Sequence, residues 1–383
     1  MNFLGYRRAN GKVGTRNHVG IISTVVCANA VTQRIANLVE GAVAFVHSQG
    51  CCQTALDLEI VNRTLINLGV HPNLGAVLLV ALGCESVNLE LVHKAIAESG
   101  KPVQMLLIQE EGGLHGTIAK GVQIATEFAA QLAGQERQQC SLDNLCIGIK
   151  CGGSDTTSGI ISNPVLGNVA DQLVASGGTV VVGEITEFLG AEHIVAARIE
   201  DDTVRTRFLR AVNTIEERVL ATGTDMRGSQ PTRGNIAGGL TTIEEKSLGA
   251  AVKAGKSPVR QVLDYGCQCT ETGLVIVDSP AREPELLTAL AAAGAQIIFF
   301  TTGRGAPQGF PFVPVLKVTG NKRTYDKMKD HIDVCIAPSA FSDLQAASLQ
   351  VMDLLVRTAN GQLTAAEVLE YDTGDIAVIG PII

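Results

Sequence analysis

Four times in the first third of the chain, a continuous apolar run breaks into a short polar loop and then gives way to an amphipathic segment. The runs are Val19 to Val26, Ala42 to Val46, Ala76 to Leu82 and Val103 to Ile108. Leu58, Val61, Leu65 and Leu68 follow the second at helical spacing, and Ile118, Val122, Ala125, Ala129 and Leu132 follow the fourth. A strand that is apolar throughout, rather than at alternate positions, is covered on both faces, and strand–helix alternation makes its sheet parallel. The expected fold is therefore α/β, built from doubly wound, Rossmann-like parallel sheets with helices on both faces. In such a sheet every strand-to-helix loop opens on one edge, where ligands bind.

The remainder repeats the pattern. Leu145 to Ile149, Thr179 to Val182, Leu274 to Val277 and Gln296 to Phe300 read as strands. Ile160 to Val174, Thr203 to Leu220, Thr242 to Ala254 and Ala340 to Arg357 read as helices, and Thr242-Ile243-Glu244-Glu245 fits a capping box. Gly134 to Gln139 is polar and patternless, which predicts a linker between two domains, 1–134 and 140–383. Gly223 to Leu240 is dominated by Gly, Pro, Asn, Arg and Ser, and a loop that long is usually functional or mobile.

Bulk properties narrow the function. A net charge of −8 without a basic cluster excludes nucleic acid as the expected partner. No apolar run is long enough to cross a membrane. The first 18 residues carry Arg7, Arg8, Lys12 and Arg16 but no apolar stretch, so they are not a secretory signal, and a cytoplasmic location is expected. The ten cysteines lack a disulfide spacing, which leaves free thiols, metal ligands or catalytic groups.

The unusual polar residues all follow predicted strands. Cys151-Gly152-Gly153-Ser154-Asp155 places a thiol, two glycines, a hydroxyl and a carboxylate where a strand turns into a helix. His47, Cys51, Cys84, Glu85, Glu184, Glu187 and His193 occupy equivalent loops. Singly, each of these is more often structural; together on one sheet edge they point to a site. Thiol, imidazole and carboxylate suit a borderline divalent metal such as Fe2+ or Zn2+. Gly148 to Gly153 lacks the Lys-Ser/Thr ending of a phosphate-binding loop, whereas Gly303-Arg304-Gly305 offers a guanidinium suited to a carboxylate.

Motifs spread along the chain carry a family resemblance. They are Gly11-Lys12-Val13-Gly14-Thr15-Arg16-Asn17, His47 through Cys51, His71-Pro72-Asn73, Gly83-Cys84-Glu85, Cys151 through Asp155, Gly190-Ala191-Glu192-His193, Gly238 through Ser247, and Phe300 through Gly305. In these the chain resembles the altronate and galactarate dehydratases of sugar acids. The resemblance implies loss of water from a hydroxy acid to give a 2-keto-3-deoxy acid, usually with ferrous iron, for which Mn2+ can stand. On this reading His47, Cys51, Cys84, Glu85 and Cys151 hold the metal. Glu184, Glu187, His193 and Asp155 are the catalytic candidates. Arg16, Asn17, Ser154, Lys246, Thr302 and Arg304 bind the small hydroxy-acid substrate. An iron–sulfur cluster on Cys51, Cys84 and Cys151 is the alternative cofactor.

Two departures shape the expectation. Family members often carry a small extra domain ahead of this region, and here the Arg16-Asn17 motif comes almost at the start. A separate small subunit is therefore an expected partner, alongside homo-oligomerisation. Cys52 also stands where the pattern has glycine. Sulfolactate sulfo-lyases, which expel sulfite by similar chemistry, and a non-catalytic sugar-acid-binding subunit are the alternative functions.

Overall fold

The computed structural model describes residues 1–383 and contains three sheets. Fourteen strands are numbered here in chain order, as are the nine helices of nine residues or more. The first parallel sheet has the order β4-β3-β5-β6, from β3 (His18–Ser23), β4 (Ala42–Phe45), β5 (Leu74–Ala81) and β6 (Val103–Leu107). One face packs Val19, Ile21, Leu78 and Val80 against α1 (Asn29–Asn37) and α4 (Leu114–Ala133). The other packs Ile22, Val77 and Leu79 against α2 (Ala55–Gly69) and α3 (Leu89–Glu98).

The second sheet is parallel and has seven strands in the order β10-β11-β9-β8-β12-β13-β14. These are β8 (Cys146–Cys151), β9 (Thr179–Val182), β10 (Val259–Leu263), β11 (Gly273–Val277), β12 (Ile297–Thr301), β13 (Val315–Thr319) and β14 (Val334–Cys335). Ile147, Ile149, Val180, Phe299 and Val318 face α5 (Asn163–Ala175), α6 (Asp202–Leu220), α7 (Ile243–Ala251) and α9 (Leu344–Ala359). Ile298, Phe300, Val275 and Val315 face α8 (Glu283–Ala292) and share one continuous apolar cluster with the first sheet. Doubly wound coverage of both sheets is thus present, as the largely apolar strands require.

The residues ahead of the strands join the two sheets. Asn73 Nδ2 donates to the carbonyls of Gln296 and Phe312 at 2.9 Å each, and its Oδ1 accepts from Thr15 N–H at 2.8 Å. The expected linker is partly ordered structure. Gln138 and Gln139 lie in β7 (Gln138–Ser141), which pairs antiparallel with β1 (Asn2–Arg7), and β1 pairs in turn with β2 (Val13–Gly14). No helix is long and apolar enough to cross a membrane.

The long loop expected over Gly223 to Leu240 carries two helical turns, Met226–Ser229 and Arg233–Ala237, capped by Asp225 and Thr232. At Thr242 only half of the expected capping box forms. Thr242 Oγ1 accepts from Glu245 N–H at 3.2 Å, but the Glu245 carboxylate turns to Thr241 N–H and Oγ1 instead.

Candidate active site at the switch point of the seven-stranded sheet

The chain winds from β8 toward β9 in one direction and resumes at β12 on the other side of β8. The loops that follow β8 and β12 therefore leave the sheet in opposite directions, and a crevice at such a reversal is where open α/β sheets take ligands. The Cys151–Asp155 and Thr301–Gly305 loops lie there. Gly152 N–H donates to Thr301 O at 2.8 Å, and Gly303 N–H to Gly153 O at 3.0 Å. The glycines are needed for this approach: a Cβ on Gly303 would fall 2.1 Å from Asp155 Cγ, and one on Gly152 would fall 2.4 Å from the Phe300 ring.

Cys151 ends β8 with its thiol buried, 3.0 Å from Ser154 Oγ. Burial raises its pKa, the Glu187 carboxylate raises it further, and Lys253, Ser154 and Thr301 pull the other way. Glu187 and Lys253 form an ion pair whose side chains are 2% and 1% exposed. Burial alone would lower the Lys253 ammonium. Glu187, with help from Cys151 and Glu184, reverses that and holds it above its ordinary value.

Glu184 follows β9 in a left-handed conformation, φ 63°, that an L-residue with a long side chain adopts at a cost of about 1–3 kcal/mol. Its backbone N–H donates to Ser279 Oγ at 2.9 Å, which fixes the turn to the loop after β11. Burial pushes its carboxyl up to about 8, and the neighbouring Glu187 carboxylate adds to the shift; Lys150, Lys253 and Lys246 oppose it. The two glutamates thus lie in opposed environments: one is paired with a buried cation, and the other is held in its neutral form around neutral pH.

Two openings are lined by neighbours of this cluster. A cavity of about 250 Å3 is lined by Ser154, Asp155, Ser158, Leu240 and Lys246. A cleft of about 1200 Å3 runs beside Ile185 and Ser279 under α6, with Arg207, Arg210 and Arg218 on its wall. The Met226–Gly238 segment docks on the Cys151 loop, because Asn235 Nδ2 donates to Ser154 O at 2.9 Å and Thr156 N–H to Gly238 O at 3.0 Å.

The other predicted residues fall elsewhere or are already engaged. Asp155 is not a free carboxylate. Oδ1 accepts from Ser158 N–H, Ser158 Oγ and Thr157 Oγ1, and Oδ2 from Asn321 Nδ2 at 2.8 Å, so it braces the loop. His193 is exposed on the short helix Glu192–Ala196. Thr302 is buried, its Oγ1 accepting from Gly305 N–H. Arg304 is exposed beside Gly153, and Lys246 Nζ donates to Gln230 Oε1 at 2.9 Å.

Arg16 and Asn17 precede β3 and so lie at the opposite edge from the loops. Arg16 grips Glu367 with Nε and Nη2 and the carbonyls of Thr15, Thr358 and Gln362. Asn17 accepts from Arg8 Nη1 and donates to Leu132 O. The expected substrate contacts of both side chains are replaced by structural ones.

The expected metal set does not assemble. No three His, Cys, Asp or Glu side chains come together as a metal-holding group. His47 is buried with both ring nitrogens engaged: Nε2 with Ser23 O at 2.9 Å and Nδ1 with Gln49 N–H at 3.1 Å. Glu85 accepts from Thr24 Oγ1, Leu82 N–H and Gly83 N–H, which closes its own loop. Cys51 and Cys84 are exposed on the edge of the first sheet, whereas Cys151 belongs to the second. These residues as placed do not fit one ion or one cluster.

Sequence reasoning passed over Lys150, Lys253 and Lys317. All three are essentially buried. The available signal was a lysine inside an otherwise apolar run, Cys146-Ile147-Gly148-Ile149-Lys150 and Val315-Leu316-Lys317-Val318. A buried strand accepts a charge only where something compensates it.

With this geometry in place, comparison with known proteins gives consistent matches. Residues 142–381 match the family described as D-galactarate/Altronate dehydratase, C-terminal, and residues 5–133 match D-galactarate dehydratase/Altronate hydrolase, second domain. The (2R)-sulfolactate sulfo-lyase subunit beta of Chromohalobacter salexigens is 42% identical over 96% of this chain and 95% of its own length. The altronate dehydratase of Bacillus subtilis is 35% identical over 95% of this chain and 75% of its own. The galactarate dehydratase (L-threo-forming) of Escherichia coli is 32% identical over 87% and 67%. All three relatives are lyases.

Proposed function

We propose that this chain, which belongs to the D-galactarate/altronate dehydratase family, is a lyase that eliminates water from a sugar acid such as altronate or galactarate to give a 2-keto-3-deoxy acid. The observation that carries the reading is the pairing of Glu184 with Glu187. A carboxyl raised to about 8 beside a carboxylate held by Lys253 divides acid and base roles between neighbours. The proton beside the substrate carboxylate is weakly acidic and needs a base. The β-hydroxyl is a poor leaving group and needs an acid. Glu187 carries the charge suited to the first task, and Glu184 carries the proton suited to the second. The C2–H bond breaks as the proton passes to the base. The C3–O bond then breaks with the Glu184 proton, water leaves, and the resulting enol becomes the keto acid. Ser154 and Lys246, on the wall of the smaller cavity, are the proposed holders of substrate oxygens.

A second reading, elimination of sulfite from a sulfo-hydroxy acid, is favoured by one observation. The match to the sulfo-lyase subunit spans 95% of that protein, against 75% of the Bacillus dehydratase. On either reading a separate small subunit is a proposed partner. Sulfite departs as an anion and does not require a protonated Glu184, so the acid role is the feature that separates the readings. A panel of hexonates, hexarates and sulfolactate, with and without added Fe2+, decides between them by 2-keto acid against sulfite release. Sulfite release alone would replace the dehydratase reading.

A further inference from the structure

Lys150 on β8, Phe300 on β12 and Lys317 on β13 stand side by side on three adjacent strands, in register as Lys150↔Phe300↔Lys317. Both ammonium groups lie against the same ring, at 4.2 Å for Lys150 and 6.0 Å for Lys317 from its centroid. The row therefore occupies one face of the sheet, the face turned toward the first sheet. It borders the Cys151 loop, because a Cβ on Gly152 would fall 2.4 Å from the Phe300 ring.

The two ammonium groups in this row are partnered unequally. Lys150 Nζ meets Glu283 Oε1 at 3.2 Å, and the Glu283 side chain is 39% exposed while that of Lys150 is 1% exposed. Lys317 is fully buried, and its Nζ has no hydrogen-bond partner. The carboxylate that acts on it, Asp333, is spent on backbone: Oδ2 accepts from Lys317 N–H and Oδ1 from Ala365 N–H, both at 2.7 Å. A buried ammonium without an acceptor is costly, and the Phe300 ring supplies only part of what water would. Burial lowers the Lys317 pKa to about 8, so the group remains largely charged at neutral pH.

We infer that Lys150 and Lys317 form a two-ammonium site for the anionic end of the substrate, a carboxylate or sulfonate, and that Glu283 occupies it as a placeholder in the free protein. Glu283 is the solvent-facing member, so an arriving anion displaces it from Lys150 and supplies the acceptor that Lys317 lacks. Phe300 holds the two cations apart and keeps them on one face. This rests on the lyase reading for the identity of the ligand, but not for the existence of the anion site.

Malonate, a dicarboxylate that cannot undergo the elimination, is the probe, with binding to the full chain measured by calorimetry at fixed ionic strength. Lys317→Met and Lys150→Met are each expected to weaken malonate binding by about tenfold or more. Glu283→Gln is expected to tighten it, because the competing charge is gone. Lys317→Met removes an unpartnered buried charge and is expected to melt no lower than the unmodified protein. A purely structural role for these residues predicts no such opposition of sign between the lysines and Glu283. Unchanged binding in Lys317→Met, no tightening in Glu283→Gln, or no malonate binding by the unmodified chain each overturns the site. Malonate binding through both lysines without turnover of any hydroxy acid keeps the site and removes the lyase reading. Turnover without the malonate effects does the reverse.

Discussion

The Lys253 ammonium rests on the Glu187 carboxylate inside the protein, with both side chains almost completely shielded from water. Lys253 comes from the turn that continues α7, and Glu187 from the turn after β9, so the pair ties two elements together next to Cys151. Removing one partner of a buried pair strands the other charge. Lys253→Met or Glu187→Gln alone should therefore cost about 3–5 kcal/mol of stability, while the double variant should cost much less than the sum. Urea unfolding of the three variants measures this, and additive losses would show that the two groups do not interact.

Arg16 provides a contrast. Its guanidinium is saturated by Glu367 and three carbonyls, far along the strands from the site loops. Arg16→Ala should lower stability by about 3 kcal/mol because Glu367 and buried carbonyls lose their donors. KM for the hydroxy acid should stay within roughly twofold, since no contact with substrate is removed. A large rise in KM with unchanged stability would restore the substrate-binding role that the motif suggested.

The cysteines divide by exposure. Cys27, Cys51, Cys52 and Cys84 are exposed on the loops of the first sheet, and Cys140 and Cys151 are buried. Brief iodoacetamide treatment of the native, metal-free protein should modify the first four and spare the last two, as read by peptide mass spectrometry. Repeating it anaerobically with Fe2+ reports directly on the expected ligands, because a coordinated thiolate is shielded from alkylation. Rapid modification of Cys151 would show that the switch-point loop opens far more than its hydrogen bonds allow.

Sequence made the strands of the first sheet legible because each is a largely apolar run that ends in a glycine or a polar cluster. It missed β10 and β13, whose arginine, glutamine and lysine interrupt the apolar run. It placed Cys151, Ser154, Glu184 and Glu187 at one edge correctly, since a parallel sheet forces that. Arg16 and Asn17 both stand before a strand, which puts them at the edge opposite the site loops, and a motif carries no such direction. An imidazole in a loop looks the same in sequence whether or not its nitrogens find backbone partners, as those of His47 do. Nor could the sequence show that Asp155 is spent on Ser158, Thr157 and Asn321, the last of them 166 residues away.

Glu184 gives the sharpest test of the chemistry. An unperturbed glutamate ionises at about 4.3, so between there and about 8 the folded protein keeps a proton that the unfolded chain has released. Stability should therefore fall as pH rises through that window, and Glu184→Gln, which preserves the neutral shape, should flatten the slope. The rate should follow the same proton. If Glu184 delivers it to a departing hydroxyl, kcat/KM of the unmodified protein falls above pH about 8, and Glu184→Gln loses a factor of about 10^2 to 10^4 at neutral pH. A profile that climbs through this range instead would make Glu184 the base and reverse the assignment with Glu187. Sulfite elimination provides the control, because that leaving group takes no proton as it departs. A Glu184→Gln variant that loses dehydration but keeps sulfite release would place the proton on the leaving oxygen and nowhere else.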